Sequence, residues 1–76
     1  MKKEKFLEEL AMALNELPTM VKPEVQLESL SGWDSTGILG VMAMLDGSVG
    51  IQVDVDRLRE AKTVQDLMNL AAGKLE

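Results

Sequence analysis

Apolar residues recur along this chain at helical spacing in three separate stretches. Phe6, Leu7, Leu10, Ala13, Leu14 and Leu17 step by threes and fours, which predicts one buried stripe on a helix from about Lys3 to Glu16. Lys5, Glu8, Glu9 and Glu16 fall elsewhere on that helix, and Pro18 ends it. Ile38, Val41, Met42, Leu45 and Val49 predict a second helix from about Ser35 to Val49, closed by Gly50 just past its end. Val64, Leu67, Met68, Ala71 and Leu75 mark the last helix. It opens on Thr63-Val64-Gln65-Asp66, a capping-box pattern in which Asp66 stands where Glu is the stronger choice.

The segments between these helices are of two kinds. Residues 18–34 form a long connection in which Pro18, Pro23 and Gly32 resist regular structure. Its apolar residues Val21, Val25, Leu27, Leu30 and Trp33 are irregularly spaced and are expected to pin the loop to the core, with Trp33 a cap at its end. Ile51, Val53 and Val55 alternate with Gln52 and Asp54, but a lone strand has no partner here, so one side of a loop is expected to pack. Residues 56–61 suit one short helical turn with Leu58 inward. The expected fold is all-α: a small four-helix bundle of three longer helices and one short one, with a long loop between helices one and two. Residues 1–76 make a single domain.

Composition narrows the chemistry. The chain has no cysteine and no histidine, which removes disulfides, thiolate metal sites, the usual general base and the commonest nitrogen ligand for zinc. No catalytic residue and no metal site is therefore expected, and the chain is not expected to be an enzyme. Asp54 and Asp56 lack the further oxygen ligands and the glycine of a calcium loop. The formal net charge is −5, concentrated between residues 23 and 56, where Glu24, Glu28, Asp34, Asp46, Asp54 and Asp56 face no lysine or arginine. Such a belt argues against nucleic acid; it suits either partners with basic docking surfaces or simply the solubility of a small domain, and composition alone does not decide between them. Lys2, Lys3 and Lys5 are followed by Phe6-Leu7-Glu8-Glu9, which breaks a signal-peptide core. No apolar run has transmembrane length. A soluble, monomeric, cytoplasmic protein is expected.

The one stretch that concentrates chemistry is Leu30-Ser31-Gly32-Trp33-Asp34-Ser35-Thr36-Gly37. A turn-forming run ends in Asp-Ser, and an amphipathic helix follows at once. Ser35 thus stands at a helix mouth, beside a carboxylate and near the positive end of the helix dipole, where an attached phosphate is tolerated. The same two residues also read as an ordinary helix cap.

The run resembles the attachment motif of the acyl carrier protein family, in which an Asp-Ser pair opens the second helix. The likeness extends to the Pro-containing loop, Gly32-Trp33, the Gly50-Ile51 exit and the Lys62-Thr63-Val64-x-Asp66-Leu67 opening of the last helix. It implies the same bundle and a 4'-phosphopantetheine arm on Ser35. A phosphopantetheinyl transferase would move that arm from coenzyme A with Mg²⁺ assisting, and Asp34 would aid the transfer. The arm's thiol would carry an acyl group as a thioester to acyl-loading, acyl-transferring or condensing enzymes of fatty-acid, polyketide or other specialised biosynthesis. An aminoacyl, D-alanyl or peptidyl carrier is an alternative, since Asp-Ser-x-Gly is similar to those motifs as well. An unmodified helical adaptor that binds a partner helix is a second alternative.

Two departures from the family pattern bear on partners. Thr36 replaces the usual leucine after the serine. The outer side of helix two lacks the family's glutamates: it is expected to carry Thr36, Gly40, Ala43 and Gly47, flanked by Leu39 and Met44. Small residues there let a partner approach closely, so these six are the expected partner-binding residues, with Asp34 and Asp46 supplying limited steering.

Overall fold

The computed structural model describes residues 1–76. Four α-helices form: α1 over Lys3–Leu14, α2 over Ser35–Met44, α3 over Val55–Arg59 and α4 over Val64–Leu70. There is no strand; Gln26 and Thr63 make one isolated antiparallel bridge. No helix is long and apolar enough to cross a membrane.

Helix α1 stops two residues before the expected end. Asn15 takes the left-handed conformation at φ 55° and closes the helix, a role Asn fills because its short polar side chain tolerates that region. Phe6, Leu10, Ala11 and Leu14 are buried, while Leu17 lies past the helix and is 68% exposed.

The long connection is ordered by packing and by hydrogen bonds to α4. Val21, Leu27 and Leu30 are buried, and Val25 and Trp33 pack against the core. Burying each of the three is worth about 1.5–3 kcal/mol, which offsets part of the entropy of ordering so long a segment. The Val64 N–H donates to Val25 O (3.0 Å), the Gln65 N–H to Pro23 O (2.9 Å), and the Leu27 N–H to Lys62 O (2.9 Å). Two N–H groups that the first turn of α4 leaves without a partner are thus satisfied by the loop.

The capping box of α4 forms in full: Thr63 Oγ1 accepts from the Asp66 N–H (3.2 Å), and Asp66 Oδ2 accepts from the Thr63 N–H (3.1 Å). A further bond from the Lys62 N–H (2.9 Å) reaches the same carboxylate. These backbone donors, Lys62 first and Thr63 second, hold the Asp66 carboxyl below its ordinary 3.8.

Helix α2 departs from expectation in two ways. Gly37, Ile38, Val41 and Met44 face inward, with Leu45 beyond them, whereas Met42 is half-buried. At about 100° per residue, the buried face is turned by about 50° from the expected stripe. The helix then widens into a π-turn over Leu45–Val49, where the Gly50 N–H bonds Leu45 O at 2.8 Å. At α pitch Val49 would point about 80° from the centre of the buried face. The wider turn rotates less per residue and returns Val49 to the core. Gly50, at φ 87°, ends it as expected.

Ile51, Val53 and Val55 pack their side chains against the core while Gln52 and Asp54 stay exposed, so this segment is a one-sided loop. Leu58 of α3 is fully buried. Seventeen apolar residues form one core, with no buried charged or polar side chain.

Candidate functional site

The Ser35 position is built from the end of α1 and the loop that crosses it. Gly32 lies so close to α1 that a Cβ there would collide with the Leu14 carbonyl oxygen. A Cβ on Gly37 would in turn collide with the Gly32 carbonyl oxygen. Backbone of α1, of the loop and of α2 is therefore stacked in van der Waals contact, and only glycine fits at the two crossing points. Glu16 ties the same layer: its Oε2 accepts from the Gly32 N–H (2.8 Å) and from the Ser31 hydroxyl (3.0 Å). Sequence periodicity places Glu16 on the solvated side of α1; in fact it lies past the helix end and is half-buried.

Asp34 caps α2. Its backbone is extended (φ −134°, ψ −172°), its Oδ1 accepts from the Gly37 N–H at 2.8 Å, and its carbonyl accepts from the Ile38 N–H at 2.8 Å. Ser35 follows as the first helical residue and is exposed. The Asp-Ser pair is thus divided between two roles: the carboxylate does the capping, and the hydroxyl has none of it to do. The N–H groups of Ser35 and Thr36 have no partner within the domain, so two donors remain at the helix mouth beside the hydroxyl.

The glycines of α2 need a different account from the expected one. Gly37 is buried. Gly40 is half-buried and faces α1, where a Cβ would stand 3.0 Å from the Ala13 carbonyl oxygen. Both are used inside the domain to bring α2 close to α1. Met44 is also buried, at 9% exposure. Of the six residues expected on the partner-binding side, Gly40 and Met44 therefore belong to the interior, because the face they share is the one turned toward α1. Thr36, Leu39, Ala43 and Gly47 are exposed, and Leu39 keeps 53% of its surface in solvent. Asp46 is exposed on the same side.

Beginning one turn below Ser35, this outer face forms one wall of a groove of about 590 Å³. Leu39, Met42 and Ala43 line it from α2, Asp46 from the π-turn, and Val53 and Asp54 from the loop before α3. The Asp54 carboxylate caps α3, accepting from the Arg57 N–H at 2.8 Å. No cluster of three or more acidic side chains is arranged to hold a metal ion. Comparison with known protein families, with characterised proteins and with solved structures finds no match for the chain.

Proposed function

We propose that this domain is a carrier protein, related in design to the acyl carriers, that bears an acyl-type group as a thioester on a 4'-phosphopantetheine arm attached to Ser35. The observation that carries this reading is the division of labour at the start of α2. Asp34 caps the helix, so Ser35 is exposed, free of any capping bond, and held in place by a layer of stacked backbone. A hydroxyl that another enzyme must reach needs this combination of access and fixed position.

The site fits the arm. The Ser35 oxygen would form the phosphodiester, and the free N–H groups of Ser35 and Thr36 would face its charge. When attached, the arm supplies the thiol that this cysteine-free chain lacks. Asp34 would assist the transfer from coenzyme A by a phosphopantetheinyl transferase, with Mg²⁺. The groove of about 590 Å³ starting at Leu39 lies within the usual range for small-molecule sites, about 300–1,000 Å³. Its apolar lining suits the arm and the first atoms of its cargo.

The four helices and the long first loop are read as the carrier bundle, acting as a cytoplasmic monomer. Thr36, Leu39, Ala43 and Gly47 are the surface offered to loading, transferring or condensing enzymes. The adaptor reading loses part of its support, because Gly40, one of the small residues expected to admit a partner helix, is drawn against α1, leaving only Ala43 and Gly47 of the small positions exposed with Thr36. Incubation with coenzyme A, Mg²⁺ and a broad-specificity transferase, read by intact mass beside Ser35→Ala, tests the proposal.

A further inference from the structure

Glu16 lies just past the end of α1, where its backbone N–H closes the helix on Ala11 O (2.9 Å), and its carboxylate reaches across sixteen residues of chain to the loop before Ser35. One oxygen, Oε2, accepts both the Gly32 N–H (2.8 Å) and the Ser31 hydroxyl (3.0 Å). Gly32 is the residue whose backbone lies on the Leu14 carbonyl and under Gly37, so whatever fixes Gly32 also fixes the first turn of α2. Trp33 and Asp34 are tied to the same point: the Trp33 N–H bonds Leu30 O (3.1 Å) and the Asp34 N–H bonds Gly32 O (3.0 Å). Without the carboxylate, the Gly32 N–H and the Ser31 hydroxyl have no other acceptor in the domain.

We infer that Glu16 is a positioning residue for the modification of Ser35. It latches residues 31–34 onto the end of α1, so that the Asp34-Ser35 pair meets the modifying enzyme already in place. This rests on the carrier reading. Hydrogen bonds to a charged acceptor are the stronger kind, and a carrier whose competent loop conformation is only partly populated binds its enzyme more weakly by that fraction.

The test compares Glu16→Ala, Glu16→Gln and Phe6→Leu with the parent. Phe6→Leu weakens the core at the other end of α1 and serves as a control for stability alone. Transfer of phosphopantetheine from coenzyme A is measured well below each variant's melting temperature, together with amide exchange at Gly32. Glu16→Ala should raise the KM for the carrier about tenfold with kcat nearly unchanged, and should lower protection at Gly32 by a similar factor. Glu16→Gln keeps a carbonyl acceptor and should restore most of both. Phe6→Leu should leave KM as in the parent and lower protection at Gly32 no more than it lowers protection across the core. Unchanged KM in Glu16→Ala, or Glu16→Gln as impaired as Glu16→Ala, overturns the latch. If the parent itself takes no phosphopantetheine, the carrier reading fails and the positioning role fails with it. If the parent is modified and only the variants disagree with expectation, the positioning role alone fails.

Discussion

Replacing Gly37 with alanine should destabilise this domain, although the same change at an open helix position does the opposite. Alanine is the better helix former by about 1 kcal/mol. Gly37 has ordinary helical backbone, so strain at φ does not enter. Space decides the sign. The added Cβ would run into the Gly32 carbonyl oxygen and stand 3.1 Å from Leu14 Cδ2. Neither is the loose end of a flexible side chain: one is backbone, and the other belongs to a residue only 1% exposed. Overpacking costs about 1–3 kcal/mol, and a Cβ driven into backbone falls at the upper end, so a net loss of about 2 kcal/mol remains after the propensity gain. For a domain of this size that is a fall in Tm of about 5 °C or more. Gly47 is the matched control, since a Cβ there meets nothing within 4 Å. Gly47→Ala should gain about 0.4–1 kcal/mol by restricting the unfolded chain. Urea denaturation of both variants checks the pair. A Gly37→Ala protein as stable as the parent, with Gly47→Ala unchanged or better, would refute the stacked-backbone account of how Ser35 is held.

Three further outcomes are expected. Asp34→Ala should cost about 1 kcal/mol of stability as a lost cap, and Ser35→Ala no more than about 0.5 kcal/mol; equal losses in denaturant melts would mean that the two residues share the capping. Asp66 is held below its ordinary 3.8 in the folded state, so the unfolded chain binds its proton more readily. Its contribution to stability is whole above the unfolded value and is lost as pH falls through the folded one. Acid titration should therefore show the parent losing more stability below about pH 4 than Asp66→Asn, and identical acid slopes would contradict this. Ala43→Arg, on the exposed side of α2, should leave the fold intact by circular dichroism while slowing transfer by partner enzymes, and full transfer rates would remove Ala43 from the docking surface.

The helices, the capping boundary at Thr63 and the turn at Gly50 were legible in the sequence because each rests on local spacing or on a residue with a fixed conformational preference. Trp33 and Leu58 were placed correctly for the same reason. The face of α2 was misjudged by about 50° because what turns it is not local. Gly37 and Gly40 are drawn against Leu14 and Ala13 of α1, residues distant in sequence, and helical periodicity treats glycine as uninformative. That contact buries Met44 in place of Met42 and removes Gly40 from the outer surface. The π-turn over Leu45–Val49 was equally hidden, since it answers a demand of the core on Val49 that no sequence signal announces. Glu16 was missed because helical spacing assigns it to solvent. The one available clue was Asn15, a residue suited to ending the helix early and freeing Glu16 to reach Gly32. Asp34-Ser35 was legible as a candidate, but which of the two caps α2 required the geometry.

If the carrier reading holds, Ser35 is a hydroxyl held ready for modification. The most direct measurement is the intact mass of the parent protein and of Ser35→Ala after incubation with coenzyme A, Mg²⁺ and transferases of different specificity. The parent should gain one phosphopantetheine and the variant none, with both folded. A folded parent that gains nothing from any transferase, or a variant that gains as much as the parent, would contradict the carrier reading.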